Sequence, residues 1–419
     1  MININNHLKN NYHILINIIL IFSIYLGFFF DENITQGPKL DFNHALKQVS
    51  AFKEDFYFTF FNYDKIENST RISPIFTSLL YLIIEITGNT YSARFIILNF
   101  LVLNQFFFYK CLKISLKKFN FDNKYLLLLS ATIYLSPSFR ANIIWPESAM
   151  FGLLFFLISL YFFLKFKVNQ RFNYVLLNIF FLAVASYLRP SYSLFSIYFF
   201  YKFFEYFFKN RLFQDIFIII GFNFLLSFPA FYYIFILDIF FIDTGGLSSN
   251  YVNKFFIIST IILFHLIPII FFFKKQIFDE IKSEIKIISL IIITFTIVVN
   301  KFDYDLSFAG GGIILHLSDF LFGNNYFFYF FYLISVYILL KLILIDKVNN
   351  FLITLTLLLI TPQYHIFHKY YDPLVIILAL TILNFDKIYY LLNRKHFILA
   401  IYGFYISLNI MHIINIYIN

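Results

Sequence analysis

Apolar runs of about 18 residues or more recur from one end of this chain to the other. They constrain the fold before any motif is considered. A run of that length spans hydrocarbon, where open sheet edges cannot be satisfied, so the runs must be helices. At 60% hydrophobic residues over 419 positions, no soluble domain fits. The expected fold is an all-α polytopic membrane protein with about 12–13 transmembrane helices. It is expected as a single integral-membrane domain, residues 1–419, with a long first extracytoplasmic loop over 31–90 and the remaining bundle over 91–419.

Charge sets the topology. The net charge of +9 points to basic cytoplasmic loops and not to nucleic acid. The single Cys111 excludes an internal disulfide and a cysteine-rich metal site. Tyr12–Phe30 has no small-residue cleavage site behind it and reads as a retained anchor. After it comes a polar stretch, Asp31 to Arg71, too long for an idle loop. Within that stretch, Phe42–Phe61 has the spacing of amphipathic helices lying on the membrane surface.

Ser73–Thr87 is apolar but short, and it carries Glu85. Treating it as an interfacial or re-entrant helix leaves Lys113, Lys117, Lys118 and Lys124 inside, as the positive-inside rule prefers. The other expected spans are 91–114, 124–138, 147–166, 173–189, 191–208, 213–234, 254–273, 284–300, 326–345, 350–361, 373–385 and 396–416. Most of the acidic residues then face outward. Gly310-Gly311-Gly312 lacks the Lys-Ser/Thr of a phosphate-cradling loop and reads as a flexible or re-entrant turn.

Ionisable residues near membrane depth carry the chemistry. Asp41, beside His44, is a carboxylate able to take a proton from a hydroxyl, against the plainer reading of a solvated loop acid. Asp31 and Glu32 compete for that role. Glu147 opens a span in Trp145-Pro146-Glu147, which is also an ordinary helix start. Arg94, Arg140 and Arg189 stand at outer span ends, and Arg71 closes the polar stretch. Arginine suits phosphate through its planar fork; snorkelling or pairing with a nearby acid is the competing account. Pro362–Pro373 is the densest later polar segment. His365, His368 and Lys369 there suit a leaving phosphate, and His365 and His368 at i, i+3 would permit a divalent metal on a helix, with no third ligand evident.

In order, these residues resemble the GT-C superfamily of integral-membrane glycosyltransferases. The likeness runs through the first span and its long acidic loop, SPIF at Ser73–Phe76, Gly88, Arg94, LSPSFRANIIWPES from Leu135, VASYLRPSY from Val184, and the late YHIFHKYYDPL from Tyr364. It is similar to the pattern in which Pro opens an interfacial helix, Gly closes it and Arg begins the next span. The resemblance implies a polyprenyl-phosphate sugar donor, a lipid, glycan or protein acceptor, and an extracytoplasmic active site in a bacterial inner or plasma membrane. It implies a loop-one Asp as base, matched best by Asp41, with the adjacent Asp-Glu pair mimicked by Asp31-Glu32. Glu147 matches the Pro-Glu at a span start, and Arg189 the Arg closing a later span. An O-antigen polymerase shares size and span count but carries its large loop late. A transporter or flippase predicts paired halves and mid-span charges. A purely structural membrane protein leaves the outer arginines and acids unexplained.

Overall fold

A computed structural model describes residues 4–33, 35, 37–67, 69, 72–119, 121–239, 248, 250–272, 284–306, 310–385 and 395–418. Among them the chain is helical, with no strand. Among the described residues seven helices are long and apolar enough to cross a membrane: Asn11–Phe29, Thr90–Ser115, Ser148–Asn169, Phe213–Ile236, Tyr251–Ile270, Tyr326–Ile345 and His396–Ile414. Each coincides with an expected span. The chain forms two compact units, Met1–Ser193 with Tyr201–Phe241 and Asn393–Asn419, and Leu194–Phe200 with Ile242–Leu392.

In the first unit the helices are α1 (Ile4–Phe29), α2 (Gly37–Glu54), α3 (Phe56–Phe61), α4 (Pro74–Thr87), α5 (Thr90–Leu101), α6 (Leu103–Ser115), α7 (Asn123–Ala131), α8 (Pro137–Ile144), α9 (Ser148–Asn169) and α10 (Phe172–Leu188). Helix α11 (Phe195–Lys209) is divided, to the second unit as far as Phe200 and to the first from Tyr201; α12 (Phe213–Phe231) belongs to the first unit. Helix α9 is apolar on every side and buried along its length, packed on α6 and α10. One polar clamp fixes it: Ser159 Oγ donates to Asn178 O at 2.9 Å, and Asn178 Nδ2 donates to Ser159 Oγ at 2.8 Å. Interhelical hydrogen bonds of this kind join helices whose apolar faces alone would not distinguish neighbour from lipid.

Local chemistry sets the helix ends. Ser73 caps α4 by accepting from Ile75 N, Pro74 supplies the first-turn φ, and Gly88 closes the helix at φ 75°. Asn89 then caps α5 through Ser92 N at 2.8 Å. The run expected as one span over 124–138 is two helices. A 3-10 turn follows α7, and Ser136-Pro137 starts α8 afresh, with Ser136 accepting from Phe139 N. The residue before a proline avoids helical backbone, which is the reason for the break.

The second unit holds α13 (Tyr251–Ile270), α14 (Ile285–Val298), α15 (Ile313–Phe322), α16 (Tyr326–Ile345), α17 (Lys347–Leu359) and α18 (Leu374–Thr381). The last described helix, α19 (Lys395–Ile418), returns to the first unit. Helix α13 is buried along most of its length and packs on α15, α16, α17 and α18. Residues 373–385, expected as a span, contain only the short α18, all eight residues of which are buried. It is a core helix, as apolar runs of about 10–14 residues usually are.

Candidate active site

The end of α1 is built to present two carboxylates. Asp31 N donates to Phe28 O at 3.1 Å and Glu32 N to Gly27 O at 2.8 Å, with Asp31 at φ 49°. This pair of bonds is a Schellman closure, which ordinarily uses Gly at the left-handed position. Asp tolerates that backbone better than most residues, at a strain of roughly 1–2 kcal/mol. In return the chain turns at once, and the two acids point to different arginines.

Asp31 Oδ1 accepts from Arg94 Nη1 at 3.0 Å. Arg94 is 5% exposed. Its Nε and Nη2 both donate to Ile144 O, at 3.3 and 3.1 Å, where α8 ends. Its guanidinium lies 3.6 Å from the centroid of the Trp145 ring. Glu32 meets Arg140 of α8 as a fork: Nε reaches Oε1 and Nη2 reaches Oε2. Arg140 also donates through Nη1 to Ser23 Oγ at 2.9 Å and through Nη2 to Ser23 O at 2.8 Å. Trp145 Nε1 donates to Glu32 O at 2.9 Å. Gly27 makes room for this. A Cβ there would lie 2.5 Å from Glu32 Oε2 and 2.9 Å from Arg140 Nη2. Two arginines from separate helices are thus fixed onto the end of α1.

Asp41 stands differently. The helix expected from Phe42 begins at Gly37, so Asp41 is a helical residue and not a loop acid. It lies on the buried stripe Pro38, Asp41, Phe42, Ala45, Gln48, Val49 and Phe52, and is 6% exposed. Phe42, next to it, reaches the Trp145 ring at 6.0 Å, and Lys39 Nζ stands 4.8 Å over that ring. His44 is half-buried, and its Nδ1 is a buried atom with no hydrogen-bond partner. Asn33 Oδ1 and Thr35 Oγ1 are in the same state. Each such atom costs about 1–3 kcal/mol, so three within one short stretch mark unused hydrogen-bonding capacity.

The stripe is held from the other side by Tyr63. Its hydroxyl, fully buried, bonds to Gln48 Oε1 at 2.7 Å and to Ile72 O at 2.9 Å. Tyr232 and Tyr233 donate to Phe61 O and Phe60 O at 2.7 and 2.9 Å, tying α3 to the end of α12. Glu147 is the half-buried N-cap residue of α9. Arg189 caps the end of α10 and abuts α9 at Gly152, where a Cβ would be 3.0 Å from Arg189 Cβ. Gly152 is about one and a half helical turns beyond Glu147. Arg71 lies outside the described residues.

The later polar segment belongs to the second unit. His368 opens a 3-10 turn, His368–Tyr370, and His365 precedes it in irregular backbone. The two do not share a helix, so the i, i+3 spacing does not set them side by side on one. Among the described residues no three His, Cys, Asp or Glu side chains group as metal ligands. Lys369 Nζ stands over Phe367 and Tyr370 at 5.7 and 5.8 Å. His368 Nδ1 and His265 Nε2 are 3.3 Å apart.

Sequence reasoning brought Asp31 and Glu32 forward as acids without their partners. It weighed Arg140 for phosphate contact against pairing with a nearby acid, and the structure shows the pairing; it gave Trp145 no role. The signal for Trp145 was its solitude: it is the one Trp of the chain, beside Pro146-Glu147. No known protein family, curated protein or solved structure matches this chain.

Proposed function

We propose that this chain is an integral-membrane glycosyltransferase of the GT-C type. It would move a sugar from a polyprenyl-phosphate donor to a lipid, glycan or protein acceptor on the extracytoplasmic face of a bacterial inner or plasma membrane. The observation that carries the reading is Asp41, a carboxylate buried on the inward stripe of a helix that follows the first span. The partnerless atoms of Asn33, Thr35 and His44 nearby in sequence suit a ligand rich in hydroxyls. Spans beyond the seven long helices are part of the same proposal, with α10, α11 and α14, of 14–17 residues, crossing together with their flanks.

Of the three acids Asp41 is the one buried, and it is the proposed base. The acceptor hydroxyl gives its proton to the Asp41 carboxylate. Its oxygen bonds to the anomeric carbon, and the bond from that carbon to the phosphate oxygen breaks. The displacement inverts the centre. Glu147 is the second acid of the site. Cationic side chains offset the charge that grows on the departing phosphate, the preorganised help that often dominates catalysis. Arg189, His44 and Arg71 are the proposed contacts; Arg94, bound to Asp31 and Ile144, orders the site.

The test is transfer by the purified chain from polyprenyl-phosphate sugars to an acceptor extract. Asp41→Asn is expected to lower the rate by roughly 10²–10⁴-fold. Undiminished transfer by Asp41→Asn removes the base; no transfer by the wild type from any lipid-linked donor removes the class. One observation favours a transporter instead: Lys254 and His265 are buried within the span Tyr251–Ile270. Counterflow of labelled substrate in proteoliposomes, with no new glycosidic bond, would decide for it.

A further inference from the structure

The second unit contains a turn that only glycine builds. Gly310, Gly311 and Gly312 have φ of 112°, 87° and 82°, where L side chains are strained. The turn is tied down at three points. Gly311 N donates to Ile366 O at 3.0 Å. His316 Nε2 lies 2.6 Å from Gly310 O. A carbonyl only accepts, so His316 carries a proton on Nε2. At the exit, Ile313 N donates to His368 Nε2 at 2.7 Å. Ile313 is the first residue of α15, where an N–H has no acceptor within the helix.

That last bond determines the state of the ring. A nitrogen that accepts from N–H carries no proton, so neutral His368 holds its proton on Nδ1. From there it donates to His265 Nε2, 3.3 Å away on α13. His265, accepting at Nε2, then has its own proton on Nδ1. Histidines on the two sides of one glycine turn hold opposite tautomers.

We infer that His368 is a positioning residue, fixed in the Nδ1–H tautomer, that pins the Gly310–Gly312 turn and the start of α15 to the 362–373 segment. Both ring nitrogens serve this frame, so His368 is not the phosphate contact that its sequence neighbourhood suggests. This consequence alone rests on the transferase reading.

Two measurements on the full chain test the inference. In the wild type, labelled with ¹⁵N at the imidazole rings and backbone, the ring nitrogen that couples to the Ile313 amide should be an unprotonated Nε2, with Nδ1 of that ring protonated at neutral pH. An Nε2–H ring, or no coupling to Ile313, overturns the assignment. The second measurement is hydrogen exchange over residues 310–316. His368→Asn, whose amide reaches only the Nδ1 position, should speed exchange about tenfold, the loss of one buried hydrogen bond. His368→Gln, whose amide oxygen reaches the Nε2 position, should exchange like the wild type. Equal exchange in the two variants overturns the positioning role. Neither readout uses sugar transfer, so an inactive wild type would sink the transferase reading and leave this one standing.

Discussion

Arg94 stacks its guanidinium 3.6 Å from the centre of the Trp145 ring while donating to Asp31 at 3.0 Å and to Ile144 O at 3.1 Å. One side chain therefore joins the end of α1, the start of α5 and the end of α8. Lysine has neither the planar face nor the fork for this. Arg94→Lys is expected to destabilise by about 1–3 kcal/mol through lost stacking and charge-assisted hydrogen bonds. Trp145 is the only Trp in the chain, so tryptophan emission reports this site alone. The emission of Arg94→Lys should move to longer wavelength as the ring gains water. An unshifted spectrum would mean that the arginine does not shield the indole.

The Glu32–Arg140 pair is mostly buried, with side-chain exposures of 17% and 15%. Removing one partner of such a pair leaves a charge without compensation and costs roughly 3–5 kcal/mol. Arg140→Met is expected to lower thermal stability in detergent by that order. Adding Glu32→Gln to Arg140→Met should recover part of the loss, because the stranded carboxylate goes with it. Additive losses in the double variant would show that the two residues do not interact.

How much of this was legible depended on range. Ser73-Pro74 and Gly88 marked the ends of α4 correctly because capping is decided by neighbours a few residues away. The seven long spans were equally plain, since eighteen apolar residues have few alternatives. The stop at Ser136-Pro137 was written in the sequence but was hidden by the apolar run around it. Asp31 and Glu32 were visible as acids, yet the choice of Arg94 for one and Arg140 for the other is made 63 and 108 residues away. No local pattern encodes such a pairing. The His365–His368 spacing has metal-binding meaning only on a helix, and helix begins there only as a single 3-10 turn.

Glycines offer a controlled comparison. Gly27 faces Glu32 Oε2, Ile144 Cδ1 and Arg140 Nη2 at 2.5, 2.8 and 2.9 Å from the position a Cβ would take. Gly221 and Gly403 lie in helices with nothing within 4 Å of that position. Gly27→Ala should destabilise by about 1–3 kcal/mol through overpacking. Gly221→Ala and Gly403→Ala should be neutral or stabilise by up to about 1 kcal/mol from helix propensity. Unfolding curves for the three variants check this directly, and a stabilising Gly27→Ala would refute the close fit of α1 against the pair.

Tyr304 gives a pH dependence with a definite sign. It is buried in the stretch after α14, stacked on Tyr364 at 5.6 Å, and hydrogen-bonded to the Ile366 backbone. Burial pushes its phenol from the ordinary 10.0 up to about 12. Below the unfolded value both states keep the proton, and the contribution of this residue to stability is fully present. Between the two values the unfolded chain ionises while the folded one resists, so stability falls as pH rises through that window. Tyr304→Phe removes this term. It should be less stable than wild type near neutral pH by about 1 kcal/mol, for the lost hydrogen bond. Across the alkaline window its stability should decline less steeply, so the difference between the two proteins narrows with rising pH. Parallel curves for wild type and Tyr304→Phe in thermal unfolding from pH 9 to about 12 would mean that the phenol titrates alike in both states, and that its burial does not resist ionisation.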